Sequence, residues 1–189
     1  MYDLELIGKS LKRKLKRERY IHTQGVMYTA AALAMRYEAD IQRAMTAGLL
    51  HDCGKFCSSS DQVEYCRKYR LELTQSELSM PALVHAKLGA YLAEHEYGVK
   101  ERDILDAITY HTTGRPDMSL LEKIIYIADY IEPWRGNQPW LNEVREMAFR
   151  DIDRAVAKCA GLTISYLERN NRPVEPMTMK TSDFYGPLE

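Results

Sequence analysis

The apolar run Ala44-Met45-Thr46-Ala47-Gly48-Leu49-Leu50 ends directly on His51-Asp52. A carboxylate placed there meets the negative end of the helix dipole, and Leu49 and Leu50 shield it from water. Any fold that accepts Asp52 must therefore bring positive charge against it. A divalent cation suits the place, because the adjoining imidazole of His51 is a metal ligand and His22, His85, His111 and Asp129 occupy comparably apolar settings.

These residues fall on separate helical segments. Apolar residues recur at spacings of three and four along most of the chain, with little alternation of period two, which predicts an all-α bundle. Helices are expected over Leu4 to about Arg17, from near His22 to Tyr37, and over Ile41 to Leu50. Others are expected through Val63 to Tyr69 behind a Ser58–Asp61 cap, through Leu83 to Leu92 after Ser79-Met80-Pro81 (with a loop between those two), and over Arg102 to His111. Leu120 to Ile131 is apolar on nearly every side and reads as the central helix, with Asp129 inside it. Leu141 to about Leu167 reads as a helix with a break near Gly161, and the prolines after Arg172 read as an extended tail. The expected organisation is one domain over residues 1–189, of which 172–189 form that tail.

Composition narrows the partners. In 189 residues, 26 basic side chains against 27 acidic ones leave a net charge of -1, so no general field favours nucleic acid. No apolar stretch approaches the roughly 20 residues that span a bilayer. The four cysteines form no C-x-x-C pair, and with no secretory segment evident they are expected to stay reduced in the cytoplasm. Cys53 and Cys57 read as packing residues, and His95, between two glutamates, as exposed. Trp134 and Trp140 are apolar groups on which a homodimer could form.

Imidazole and carboxylate donors together suit iron, manganese, cobalt or nickel more naturally than zinc. A cation of this kind acidifies bound water and polarises an oxygen of the group attacked, so hydrolysis is the natural chemistry. Phosphate is the expected target. Lys55 follows Gly54, whose missing side chain would let the backbone approach a ligand, and Arg135 follows Pro133-Trp134 with a donor fork that matches phosphate. Lys55, His85, His111 and Arg135 form a candidate polyphosphate clamp, with Thr112 and Thr113 as further donors. The plain alternative for Asp129 is an ion pair with Arg135, and for Gly54 an ordinary helix cap.

With His22, His51-Asp52, His85, His111 and Asp129 in this order, the chain resembles the HD-domain superfamily of metal-dependent phosphohydrolases. It is similar in particular to the YqeK-type branch in His111-Thr112-Thr113-Gly114 and in Ile125-Tyr126-Ile127-Ala128-Asp129-Tyr130-Ile131-Glu132-Pro133 followed by Arg135. The resemblance implies an all-helical HD-domain bundle, bound iron, and symmetrical hydrolysis of diadenosine tetraphosphate to two ADP. It implies His22, His51, Asp52 and Asp129 as metal ligands, and His85 and His111 as phosphate contacts or ligands of a second metal. Catalytic roles fall to Asp52, Lys55, His85 and His111. The nucleotide would be met by His22, by Asp52, Cys53, Gly54 and Lys55, by His85, His111, Thr112, Asp129 and Arg135, and by the segment from Arg172 to Met177, Pro176 included. Two departures stand out: Gly54 replaces an alanine expected before the lysine, and Gly136-Asn137-Gln138-Pro139-Trp140 differs from the family's loop. The competing readings are an HD enzyme acting on a mononucleotide or deoxynucleotide, a catalytically silent nucleotide-binding module, and a plain helical interaction protein.

Overall fold

The computed structural model describes residues 2–186, and it is helical throughout, with no strand among them. The helices are α1 (Leu4–Lys14), α2 (Arg17–Arg36), α3 (Ile41–Leu50), α4 (Ser59–Lys68), α5 (Gln75–Ser79), α6 (Val84–His95), α7 (Arg102–Tyr110), α8 (Leu120–Ile131), α9 (Pro139–Ala148), α10 (Ile152–Arg169) and α11 (Pro176–Tyr185). Three 3-10 turns, Cys53–Phe56, Pro81–Leu83 and Pro133–Arg135, join some of them. None of these helices is long and apolar enough to cross a membrane.

The central helix is α8. Ser119 accepts from Glu122 N while the Glu122 carboxylate accepts from Ser119 N, a capping box that fixes its start. Ile124, Ile125, Ile127 and Ala128 are fully buried, and α2, α3, α7 and α10 pack around them. Two close approaches then bring the polar residues together. A Cβ on Gly48 would lie 3.0 Å from the Met27 Cα, so α3 packs against the α2 backbone only because position 48 is glycine. A Cβ on Gly54 would lie 2.3 Å from the His85 carbonyl oxygen, so the turn after Asp52 sits directly on α6. Gly54 thus serves a helix contact, a role that the sequence expectation did not include.

Other differences from the sequence expectations have local causes. Leu15 is extended, so the first helix stops at Lys14 and the next begins at Arg17, which puts His22 in the second turn of α2 instead of its opening turn. The segment between α4 and α6 contains the short α5, set by a Thr74–Glu77 capping box. The long C-terminal helix divides at Phe149–Asp151, where Asp151 caps α10, and Gly161 lies inside α10 without a break. The expected extended tail is corrected most clearly. Pro176 occupies the first turn of α11 behind the Glu175 cap, a position where proline starts helices. Thr181 Oγ1 donates to Thr113 O at 2.9 Å and Met118 N donates to Tyr185 Oη at 2.8 Å, docking α11 against the loop after α7. Residues 187–189 lie outside the described part.

Candidate metal centre

His51 closes α3, His85 lies in the first turn of α6, and His111 closes α7. In each, Nδ1 donates to a main-chain carbonyl three residues back: Gly48 O at 2.7 Å, Ala82 O at 2.6 Å and Ile108 O at 2.7 Å. A carbonyl only accepts, so in each neutral ring the proton sits on Nδ1 and the lone pair of Nε2 faces inward. His22, on α2, is held by a different device. Its Nδ1 faces the buried Glu132 carboxylate at 2.9 Å, and its Nε2 also points inward.

The four rings surround Asp52, which is fully buried. Oδ2 lies 2.7 Å from Arg19 Nη1, 3.5 Å from His51 Nε2 and 3.7 Å from His22 Nε2. Oδ1 lies 3.0 Å from Lys55 Nζ, 3.3 Å from His85 Nε2 and 3.6 Å from His111 Nε2. Asp129, on α8, reaches the same group: its Oδ1 is 3.0 Å from His22 Nε2 and 3.7 Å from His51 Nε2. Burial alone would raise the Asp52 carboxyl. His51, His111 and Lys55, all close to it, instead hold it well below the usual carboxylate range. Asp129 behaves in the same way, with burial opposed by the neighbouring His22, His51 and Arg135. Burial, aided by Lys55, pushes His85 well below the ordinary imidazole range and keeps that ring neutral.

The donor set fits a metal ion. His22 Nε2 and His51 Nε2 are buried ring nitrogens without a hydrogen-bond partner, a costly condition that a cation relieves, and Asp52 Oδ1 beside them is met only by the Lys55 ammonium. Donor atoms of His22, His51 and Asp129 lie within 4.8 Å of one another, as do those of His51, Asp52 and His111. These two triads share His51.

Of the other expected residues, Lys55 and Arg135 join the cluster. Arg135 Nη2 lies 2.5 Å from Asp129 Oδ1 and its Nε donates to Asp129 O at 2.8 Å, so the plain ion pair foreseen for Asp129 is present too. Thr112 lines an adjoining cavity of about 820 Å³ that also meets His111, Asp129, Arg135, Tyr126, Trp140 and Tyr166. Asp129 keeps 20% of its side chain exposed, toward which such a cavity gives access. A second cleft, of about 500 Å³, reaches the cluster at Lys55 and His85. Cys53 is not brought in: its Sγ is buried against Gly89 O, and burial pushes the thiol up, as a packing residue requires. Arg172 and Pro176 are exposed and lie outside the lining of either cavity.

Two residues escaped the sequence reading. Glu132, 1% exposed, orients His22 and accepts from Trp134 N at 2.7 Å, while Arg19 pairs with Asp52. Helical spacing could have found both. Arg19 stands three residues before His22 on α2, and Glu132 three residues after Asp129, so each shares a face with a recognised neighbour.

Comparison with known proteins agrees with this geometry. A protein of Bacillus subtilis (strain 168) named "Bis(5'-nucleosyl)-tetraphosphatase, symmetrical" is 44% identical over 171 residues, covering 90% of this chain and 91% of the relative. One of the same name from Halalkalibacterium halodurans is 44% identical over 179 residues, covering 92% and 94%. A crystal structure of an HD superfamily hydrolase from Clostridium acetobutylicum, described as involved in NAD metabolism, superposes with a TM-score of 0.93 at 37% identity, covering 98% of this chain and 97% of that one. The HD domain model matches residues 19–134, which hold all four inward-facing histidines and both aspartates of the cluster, and the chain belongs to the HD domain family.

Proposed function

We propose that this protein hydrolyses diadenosine tetraphosphate symmetrically, giving two ADP. The observation that carries the reading is the convergence of unpartnered His22 Nε2 and His51 Nε2 with the buried Asp52 carboxylate, beside Lys55, Arg19 and Arg135, in a chain 44% identical to symmetrical tetraphosphatases over most of its length. His22, His51, Asp52 and Asp129 would hold the ion, and iron fits their mixed nitrogen and oxygen donors. A divalent cation there supplies Lewis-acid activation of water and of a phosphoryl group.

The chain's own residues do the remaining work. Glu132 and the three main-chain carbonyls keep every ring's Nε2 turned inward before substrate arrives. Lys55 and Arg19 on one side of Asp52, and Arg135 on the other side of the cluster, offset the charge of the phosphate chain and the charge that grows as the bond breaks. The oxygen of one water joins one of the two middle phosphorus atoms while the bond from that phosphorus to the oxygen linking it to the other middle phosphorus breaks. The two water protons are shared among the products and solvent, so each half leaves as ADP. Thr112, on the cavity wall, is placed to donate to a phosphate oxygen.

His85 and His111 are the reason to propose a second cation. Their Nε2 atoms lie 3.1 Å apart next to Asp52 Oδ1, and with both Nδ1 protons committed to carbonyls, two lone pairs face each other. A positive charge between them removes that repulsion. We place the reaction in the cytoplasm, where the four cysteines, all free, stay reduced. Product analysis tests the function: metal-loaded protein incubated with diadenosine tetraphosphate should give ADP alone, and ATP plus AMP, or no products, would contradict it.

A further inference from the structure

One residue lining the 500 Å³ cleft carries an unmet acceptor. Gln62, on α4, is 3% exposed, and its Nε2 donates to Cys57 O at 3.1 Å, which identifies the remaining terminal atom as the carbonyl oxygen. That Oε1 has no hydrogen-bond partner. Gln62 forms the cleft wall together with Lys16, Arg19, Lys55, Ser58 and His85. The wall is thus cationic near the metal centre, with one buried carbonyl wanting a donor.

The larger cavity differs in kind. Tyr126, Trp140 and Tyr166 make it aromatic, and it meets the centre through His111, Asp129 and Arg135, sharing no lining residue with the Gln62 cleft. Both clefts therefore meet the cluster around Asp52, each within the range of a small-molecule site, and a smaller one of about 390 Å³ meets it at His22, Glu132 and Arg135. A substrate cut at its midpoint into equal halves needs room for one half on each side of the reacting bond.

We propose that the Gln62 cleft is the second nucleoside subsite of this active site, a placement that rests on the hydrolase reading above. One nucleoside stacks within the aromatic cavity. The other half runs along Lys55, Arg19 and Lys16, and a ribose hydroxyl or base amino group of that nucleoside donates to Gln62 Oε1.

The test compares two substrates, diadenosine tetraphosphate and adenosine 5'-tetraphosphate, which lacks the second nucleoside. Gln62→Leu keeps the bulk and removes the acceptor. The expected result is a rise of about tenfold in KM for the dinucleotide with little change in kcat, and a smaller rise for the one-sided substrate, so that the preference between them falls. Ser59→Trp adds bulk at the same cleft from the first turn of α4, away from the core, and should lower the preference without lowering the melting temperature. A preference unchanged in both folded variants, with wild-type protein still giving two ADP, overturns the subsite alone. Wild-type protein that gives no ADP overturns the hydrolase reading and the subsite with it.

Discussion

The metal centre has two walls, built on different principles. On one, His51, His85 and His111 are each fixed by a carbonyl of their own helix or turn, three residues back. On the other, His22 on α2 is fixed by the side chain of Glu132, 110 residues away, and Asp129 shares that wall with Arg135. Rings anchored to the main chain keep their orientation as long as the local backbone holds. The His22 wall depends on one carboxylate arriving from another element, so a single substitution distant in sequence can disorder it.

The largest effect should come from Asp52, the residue that faces both walls. Asp52→Ala is expected to strip the metal and lower turnover by at least about 1000-fold, measured by elemental analysis and steady-state hydrolysis. A variant that keeps both would show that the walls do not meet at this carboxylate. Glu132→Gln then separates the walls. It should weaken metal binding roughly 10- to 100-fold in competition with a chelator while the fold persists, because His22 loses its charged orienting partner. Wild-type affinity in that variant would mean the second wall needs no such support. Gly25→Ala should act in the same direction but less strongly, since a Cβ there would lie 2.4 Å from Glu132 Oε2 and force the carboxylate to shift.

The smallest effect lies off both walls and serves as their control. Glu122 is buried, pairs with Arg115 through Nε at 2.6 Å and caps α8. Burial raises its carboxyl, but Arg115 and the Ser119 bonds outweigh this and hold it below the usual range. Its contribution to stability is therefore complete above the unfolded carboxylate range and lost as pH falls through the lower folded value. Glu122→Gln should cost about 1–2 kcal/mol at neutral pH, the difference from wild type shrinking in acid, with metal content unchanged. Altered metal binding in this variant would tie the centre to α8 capping.

The same contrast explains what could be read from the chain alone. The main-chain-anchored wall was legible because His51-Asp52 and His111 end apolar helices, where a buried polar side chain is conspicuous. Asp129 stood out for the same reason amid the isoleucines of α8, and the boundaries of α3 and α8 fell where the periodicity placed them. Glu132 and Arg19 were harder, because next to Pro133 and within a basic run they look like ordinary polar residues until the helices pair. The helix contact at Gly54 was not legible, because sequence cannot say whether a glycine makes room for a ligand or for another helix. The C-terminal helix was missed because proline breaks a helix interior but begins a first turn, and only the cap at Glu175 distinguishes the two.

The central claim, that side chains from α2, α3, the turn after α3, and α8 close around a divalent ion that the reaction needs, is tested most directly by counting that ion. Elemental analysis of anaerobically purified protein, paired with assay of the same sample, should find at least one transition-metal ion per chain, with turnover falling in proportion as a chelator removes it. Full production of ADP from diadenosine tetraphosphate by metal-free protein would contradict the account.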